Sequence, residues 1–510
     1  MSKESNGTLA TSEKINSNEK TIEVKYIDST KLEEYRNKYV GFKLYADSIG
    51  KLYKKYNFKL LWQDDNGFNE YAHILFNKVK SAEENGVIIE FPHKQNLDSI
   101  FTFDNEKHIV NDENDYLISA YYFYYLDKMI NGINENTTTK IGWLLPRKKV
   151  DFLKLSEELM KNPNLLESEN KNLLPQYYKL HTYLEKLKEI ERKGGWPIIE
   201  YNDDFKNLIK GDTSKVISKL KNRLYVSGDL KKNNETNLYD EELSNAIVHY
   251  LKRHNKLTDN LSITKKLIDE LNVPISEQIK TILLNMERCR WIDPKITEYN
   301  QYILVNIPSY RLTYIKNNKK YFESNVVVGS TAHKTVIFTG MMSHIVFSPY
   351  WNIPQSIINK EIKPGVSKYG NSYLTKRHME WNNGQVRQTP GVHNSLGLVK
   401  FIFPNSNNIY LHDTPSKNLF EKESRAYSHG CIRVGKPKEL AVAILADDPS
   451  WNEEKIDKAM HQGKENTYVL KEKIPVILGY FTAWVDVDGN LNFYEDVYLR
   501  DKKLAELIFH

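Results

Sequence analysis

Cysteine is almost missing: the 510 residues hold only Cys289 and Cys431. Two thiols exclude a disulfide framework and a four-cysteine zinc site, which leaves one bridge or free thiols, and any sulfur chemistry is local. Long apolar runs are missing too. The longest lie around Ala441 to Ala446 and Val476 to Val485, far short of the roughly 20 residues of a membrane helix, so no transmembrane segment is expected. Neither sign of charge dominates. The 72 Lys plus Arg against 66 Asp plus Glu give +6 without a basic block, and no nucleic-acid partner is expected. The first 20 residues lack the apolar stretch of a secretory signal, so either the protein stays inside or its export signal is missing from this chain. No repeat array is visible.

What is present suffices for several cores. Apolar residues make up 40% and aromatic residues 12%, and at roughly 150 residues per domain the length predicts about three domains. Residues 1–22 are too polar to offset the entropy of ordering and read as a disordered leader. Residues 23–204 read as helical, with Tyr53, Tyr56 and Leu60 on one stripe, then Leu117, Ala120, Tyr121, Tyr124 and Leu126, then Leu180, Leu184 and Leu187. Gly194-Gly195-Trp196-Pro197 stops the last helix. Residues 205–274 carry three short amphipathic segments. A linker helix follows over 275–298, where Ile275, Ile279, Ile282, Met286 and Cys289 form one stripe that makes Cys289 a core residue. From 299 to 510 the period turns to two, with strands such as 302–307, 311–315 and 321–328, a turn at Lys316-Asn317-Asn318-Lys319, and one helix from Pro437. The fold class is multi-domain α+β, helical first and mostly β in the last third.

The stretch that carries chemistry is Ile409-Tyr410-Leu411-His412-Asp413-Thr414-Pro415, followed after a polar connection by Ser428-His429-Gly430-Cys431-Ile432-Arg433-Val434. A thiol nucleophile needs a base and oxyanion donors. Cys431 supplies the thiol, and His412 is the candidate to take its proton or to hold it as a thiolate-imidazolium pair. Gly430 lets backbone N–H groups approach a substrate carbonyl, so the amides of Gly430 and Cys431 are the expected oxyanion hole. Two other readings use the same atoms. His412, Asp413, His429 and Cys431 are all suitable zinc ligands, and Cys431 could pair with Cys289.

The His, the fifteen-residue spacer and the Ser-His-Gly-Cys run resemble the L,D-transpeptidase catalytic domain, the YkuD family. The resemblance reaches over roughly residues 50 to 500 and is strongest to the large YcbB-like branch of murein L,D-transpeptidases. It is carried by Gly194 to Pro197, Ser227-Gly228-Asp229-Leu230, Glu287 to Trp291, Ser348-Pro349-Tyr350-Trp351-Asn352-Ile353-Pro354, Arg387 to Gly391, Leu396 to Phe401 and Thr482 to Asp486. It implies a scaffold domain at 23–204, a peptidoglycan-binding-like domain at 205–274 and a catalytic domain at 299–510 with a capping insert at about 355–385. It departs from the branch at Tyr250 to Asn255 and at Asn260, where Phe-Gln and Gly patterns are usual.

By position, Cys431 is similar to the family nucleophile and His412 to its base, with the backbone carbonyl of Asp413 orienting the ring. Ser428, His429 and Gly430 would shape the nucleophile loop. Arg433 stands where shorter members carry Asn; pairing with a surface carboxylate, loop stabilisation and recognition of a substrate carboxylate are all open to it. Tyr410 and Trp351 are candidate substrate contacts, and Trp351 with Tyr350 also reads as a core aromatic. The implied activity is 3→3 cross-linking of peptidoglycan stem tetrapeptides through a cysteine thioester with release of D-Ala. No metal or organic cofactor is implied, carbapenems are expected covalent inhibitors, and the substrate places the protein in the periplasm. Alternatives are an L,D-carboxypeptidase or hydrolase using the same site, and a catalytically inactive wall-binding scaffold.

Overall fold

The computed structural model describes residues 25–64, 67–102, 110–162, 171–256 and 260–509; the leader expected over 1–22 lies outside them. The chain forms two compact units. One comprises Met1–Lys80, Glu90–Leu126 and Phe152–Pro163, and the other Ser81–Ile89, Asp127–Asp151 and Asn164–His510.

The first unit is helical. Helix α1 (Ala46–Lys55) buries Ile49, Leu52 and Tyr53. Its stripe was expected to continue through Tyr56 and Leu60, but the helix ends at Lys55 because Asn57 and Phe58 turn left-handed, at φ 53° and 58°. The start of α2 (Asp112–Asn131) carries Asp115, whose carboxylate accepts from Tyr53 Oη at 2.7 Å and from the amides of Leu61 and Trp62 at 3.0 and 2.9 Å. Burial pushes that carboxyl up to about 6 against these hydrogen bonds, so the acid is tolerated inside by saturation with donors.

In the second unit, α3 (Pro175–Arg192) buries Tyr177, Leu180, Leu184 and Leu187 and stops at Gly194 and Gly195, both at positive φ. Three short helices follow, α4 (Lys215–Val226), α5 (Glu241–Arg253) and α6 (Lys265–Leu271). Each starts on a capping side chain: Ser214, Asp240 and Thr264 accept from the amides of Val216, Leu243 and Leu267. Their inward faces meet in a small core that includes Ile217, Leu220, Leu224, Leu243, Ile247 and Ile268. Helix α7 (Ile275–Arg290) buries the predicted stripe, Cys289 included, and burial pushes the Cys289 thiol up to about 12.

A nine-stranded sheet forms the rest of the core. Its strands are β1 (Gln301–Asn306), β2 (Arg311–Lys316), β3 (Lys319–Gly329), β4 (Phe338–Phe347), β8 (Val399–Ile402), β9 (Leu411–His412), β10 (Ala426–Ser428), β11 (Ile432–Val434) and β12 (Asn466–Gly479). The order is β10-β3-β11-β9-β8-β4-β12-β1-β2, and β2 also pairs with β3, so the sheet curls back on itself. The β2–β3 hairpin closes through Asn317 and Asn318, both left-handed as a two-residue turn demands. Between β4 and β8 the chain forms a separate three-stranded sheet of β5 (Trp351–Asn352), β6 (Met379–Asn382) and β7 (Gln385–Gln388). With the helical segments over 355–375 it encloses its own apolar cluster of Ile353, Ile358, Ile362, Leu374 and Val386. The molecule is thus a helical region followed by a mostly β domain, as the sequence implies. One further helix, α8 (Pro437–Leu445), buries Leu440, Ala441 and Ile444 against the sheet's core.

Candidate active site

The site grows out of a parallel strand pair. Strands β9 and β11 pair with Leu411 opposite Ile432 and His412 opposite Arg433. Side chains alternate along a strand, so Leu411, Ile432 and Val434 point into the core, each 0% exposed. That alternation commits Tyr410, His412, Cys431 and Arg433 to the opposite face. With strands about 4.8 Å apart and a rise of about 3.3 Å per residue, ideal strand geometry puts the α-carbons of His412 and Cys431 roughly 8 Å apart on the diagonal.

His412 is 5% exposed. Its Nδ1 lies 2.5 Å from the carbonyl oxygen of Asp413. A carbonyl can only accept, so Nδ1 carries the proton and Nε2 holds the lone pair. The Tyr410 ring packs against the imidazole, 5.7 Å between centroids at 61°. Burial first, and then the Arg433 charge, push the imidazole down to about 3 against the facing carbonyls of Asp413 and Leu396. Burial likewise pushes the Cys431 thiol up, opposed by hydrogen bonding to the Tyr410 backbone and side chain and by Arg433. Both groups are therefore neutral at rest. Of the two expected resting states, the thiolate-imidazolium pair is not the one this environment favours, because burial disfavours both charged forms and the Arg433 cation further disfavours the imidazolium.

The carboxylate of Asp413 has a structural task that the sequence did not reveal. It accepts from the amides of Leu398 and Thr414 at 2.8 and 2.7 Å and from Lys417 Nζ. The loop closes on it at Gly397, φ 62°, where a Cβ would sit 2.3 Å from Asp413 Cγ. Only glycine fits there, so this loop, the Asp413 carbonyl and the His412 ring are fixed together.

The nucleophile loop is held from within. Ser428 Oγ accepts from the Gly430 amide at 3.1 Å and donates to the Cys431 carbonyl at 2.5 Å, while Gly430 takes φ 115°. This corrects one expectation: the Gly430 N–H turns to Ser428 and is not presented as an oxyanion donor. From outside, Thr335 Oγ1 donates to the Gly430 carbonyl at 2.8 Å and accepts from the Gly329 amide, whose residue's carbonyl takes the Tyr498 hydroxyl at 2.5 Å. Thr335 and Tyr498 were invisible in the sequence, since nothing local marks a residue 95 positions away as a support.

The remaining expected residues separate. Cys431 Sγ lies 3.6 Å from the Asn408 carbonyl. Arg433 Nε is buried without an acceptor, and among the described residues no carboxylate pairs with its guanidinium. His429 is exposed and lies against His333, ring centroids 5.1 Å apart. Trp351 pairs with Gln388 and packs, partly buried, on the apolar cluster of the inserted segment. Both cysteines are free thiols. Among the described residues no three His, Cys, Asp or Glu side chains converge as metal ligands; Asp413 turns its carboxylate into its own loop instead.

Residues 300–451 match the L,D-transpeptidase catalytic domain (YkuD), and residues 47–184 match the Scaffold domain. A curated Haemophilus influenzae protein, assigned by inference as an L,D-transpeptidase, is 29% identical over 361 residues, which cover 64% of this chain and 71% of that one. Among solved structures, an L,D-transpeptidase from Stackebrandtia nassauensis is 12% identical, with 55% of this chain and 96% of that chain covered and a TM-score of 0.22. One from Xylanimonas cellulosilytica is 10% identical, covering 55% and 100%, with a TM-score of 0.18. Residues 300–451, with Cys431 and His412 inside them, therefore form a region of this chain that matches the YkuD L,D-transpeptidase catalytic domain.

Proposed function

We propose that this protein joins peptidoglycan stem peptides by 3→3 cross-links through a thioester on Cys431, releasing D-Ala. The observation that carries the reading is the tautomer of His412: Nδ1–H is committed to the Asp413 carbonyl, which leaves Nε2 as the only basic atom of the ring on the face shared with Cys431. As Sγ attacks the carbonyl at the L-centre of the donor's third residue, its proton passes to Nε2. The Cys431 N–H is the oxyanion donor in place of the Gly430 N–H, which Ser428 holds. The C–N bond then breaks, His412 returns the proton to the departing D-Ala amine, and a thioester remains. The side-chain amine of an acceptor stem's third residue attacks that thioester and gives its proton to His412. The C–S bond breaks and the thiol is reformed.

Arg433 lies on the same strand face, two residues from the nucleophile and without a protein acceptor. A partly buried guanidinium in that state suits a planar anion, and the free carboxylate of the donor's D-Ala is the one nearest the scissile bond. The insert at about 355–385 acts as a cap that limits water at the thioester. The place of action is the periplasm, where the polymer lies, and a carbapenem acylates the same sulfur.

Two measurements test this. Incubation with disaccharide-tetrapeptide yields cross-linked dimers by mass spectrometry; trimmed monomers alone make it an L,D-carboxypeptidase. Intact protein gains one carbapenem mass and Cys431→Ala gains none; an equal gain by both removes Cys431 from the mechanism, and no gain by either favours an inactive wall-binding scaffold.

A further inference from the structure

A second cavity, of about 640 Å³, opens where α3, α4 and α5 meet the hairpin formed by β13 (Ala483–Val485) and β14 (Leu491–Phe493). Its walls include Tyr183, Trp196, Arg223, Val226, His249 and Phe493. Helix α5 is tied to the hairpin by Arg253, whose Nη1 donates to the Leu491 carbonyl at 2.9 Å. The volume lies in the range of small-molecule sites.

The charges of this cavity do not cancel. Asp229, whose side chain is 0% exposed, takes Arg253 through two bonds of 2.7 Å and His249 Nδ1 at 2.7 Å. Burial opposes its ionisation, but those partners outweigh burial and hold the carboxyl below its ordinary value, so Asp229 is spent on them. Arg223 has no such partner. It is 1% exposed, its guanidinium carbon lies 3.9 Å from the centre of the Trp196 ring, Nε donates to the Leu271 carbonyl at 2.9 Å, and Nη1 is buried with no acceptor. The indole Nε1 of Trp196 is also buried and unpaired. The two carboxylates lining the cavity, Glu185 and Glu189, are 66% and 44% exposed and face His181, and Arg192 with Lys193, respectively. A buried cation and a buried N–H donor without acceptors beside an apolar-walled cavity are costly unless an acceptor arrives from outside.

We infer that this cavity is a binding site for a carboxylate, borne by a ligand small enough for the cavity and with an apolar face for the aromatic walls. Arg223 takes the carboxylate in a charge-assisted pair, and Trp196 backs the guanidinium. Given the proposed substrate, the source is the wall polymer, either the lactyl acid of a sugar that carries no stem or an acid of the stem peptide, and the site then holds the strand away from Cys431. This rests on the peptidoglycan reading only for the source of the acid.

The test is calorimetric titration of the full chain with N-acetylmuramic acid, L-alanyl-D-glutamate and uncharged N-acetylglucosamine. One of the two acids binds at least tenfold more tightly than N-acetylglucosamine, and whichever does so names the source. Arg223→Met lowers that affinity at least tenfold. Val226→Trp, which fills the cavity with Arg223 intact, does the same and keeps the inference testable should Arg223→Met fold poorly. Carbapenem acylation of Cys431, read on the same samples, is unchanged in both variants. Absence of binding by both acids, equal binding of the uncharged sugar, or full affinity in Val226→Trp would overturn the site. Loss of acylation in wild-type protein instead would sink the catalytic reading and leave the binding result standing.

Discussion

Burial holds the His412 imidazole neutral. With a folded value near 3 against an ordinary 6.5, the unfolded chain binds a proton in that window that the folded ring refuses. The contribution to stability is fully present above pH 6.5 and is lost as pH falls toward 3, at up to about 1.4 kcal/mol per pH unit. Denaturant melts of wild type and His412→Asn between pH 6.5 and 4 should therefore diverge less as pH falls, with wild type losing more. The same neutrality predicts that carbapenem acylation shows no acid limb near 6.5; a midpoint there would mean that His412 titrates normally. For Arg433, a charged hydrogen bond of about 1.5–3 kcal/mol is at stake. Arg433→Gln should lower kcat/KM roughly 10-fold to 100-fold on donors ending in D-Ala and barely change the lower rate on donors ending in D-alaninamide. Equal losses on both would assign Arg433 to loop support.

At the scale of elements, the candidate site depends on two loops stapled to strands. Gly397→Ala places a Cβ against the Asp413 carboxylate at positive φ and should cost about 1–3 kcal/mol. It should also lower kcat, because the Asp413 carbonyl that sets the His412 tautomer moves with that loop. Thr335→Val strips an acceptor from the Gly329 amide and a donor from the Gly430 carbonyl. Acylation should slow at least tenfold, about 1.4 kcal/mol of barrier, with the melting temperature lowered by a few degrees; an unchanged rate would free the nucleophile loop from this support. These staples explain how the short loop leading into β11 holds Cys431 in place.

At the scale of the whole molecule, the inserted segment between β4 and β8 has its own apolar cluster, and the sheet pairs β4 directly with β8. Replacing residues 355–385 by a short Gly-Ser link should leave the sheet folded and Cys431 open to carbapenem. It should shift products from cross-linked dimers toward trimmed monomers as water reaches the thioester, and a product ratio equal to wild type would remove the cap from the mechanism.

The helical and β regions, the buried stripe of α7 and the pairing of Cys431 with His412 as candidates were legible in the chain because each is written locally: a period of 3.6 or 2, a capping residue, a motif of neighbours. The end of α1 at Lys55 was not, because two left-handed residues override the apolar spacing. Nor were the Gly430 amide's capture by Ser428, the service of Thr335 and Tyr498, or the solitary Arg223 in its cavity. The sequence by itself determined which residues are candidates for the chemistry and which stripes must be buried, since those follow from side-chain identity and spacing. Only the tertiary structure decided the burial of His412, the partner of the Gly430 amide and the cations that lack partners, because burial, strand register and the meeting of distant atoms are properties of three dimensions.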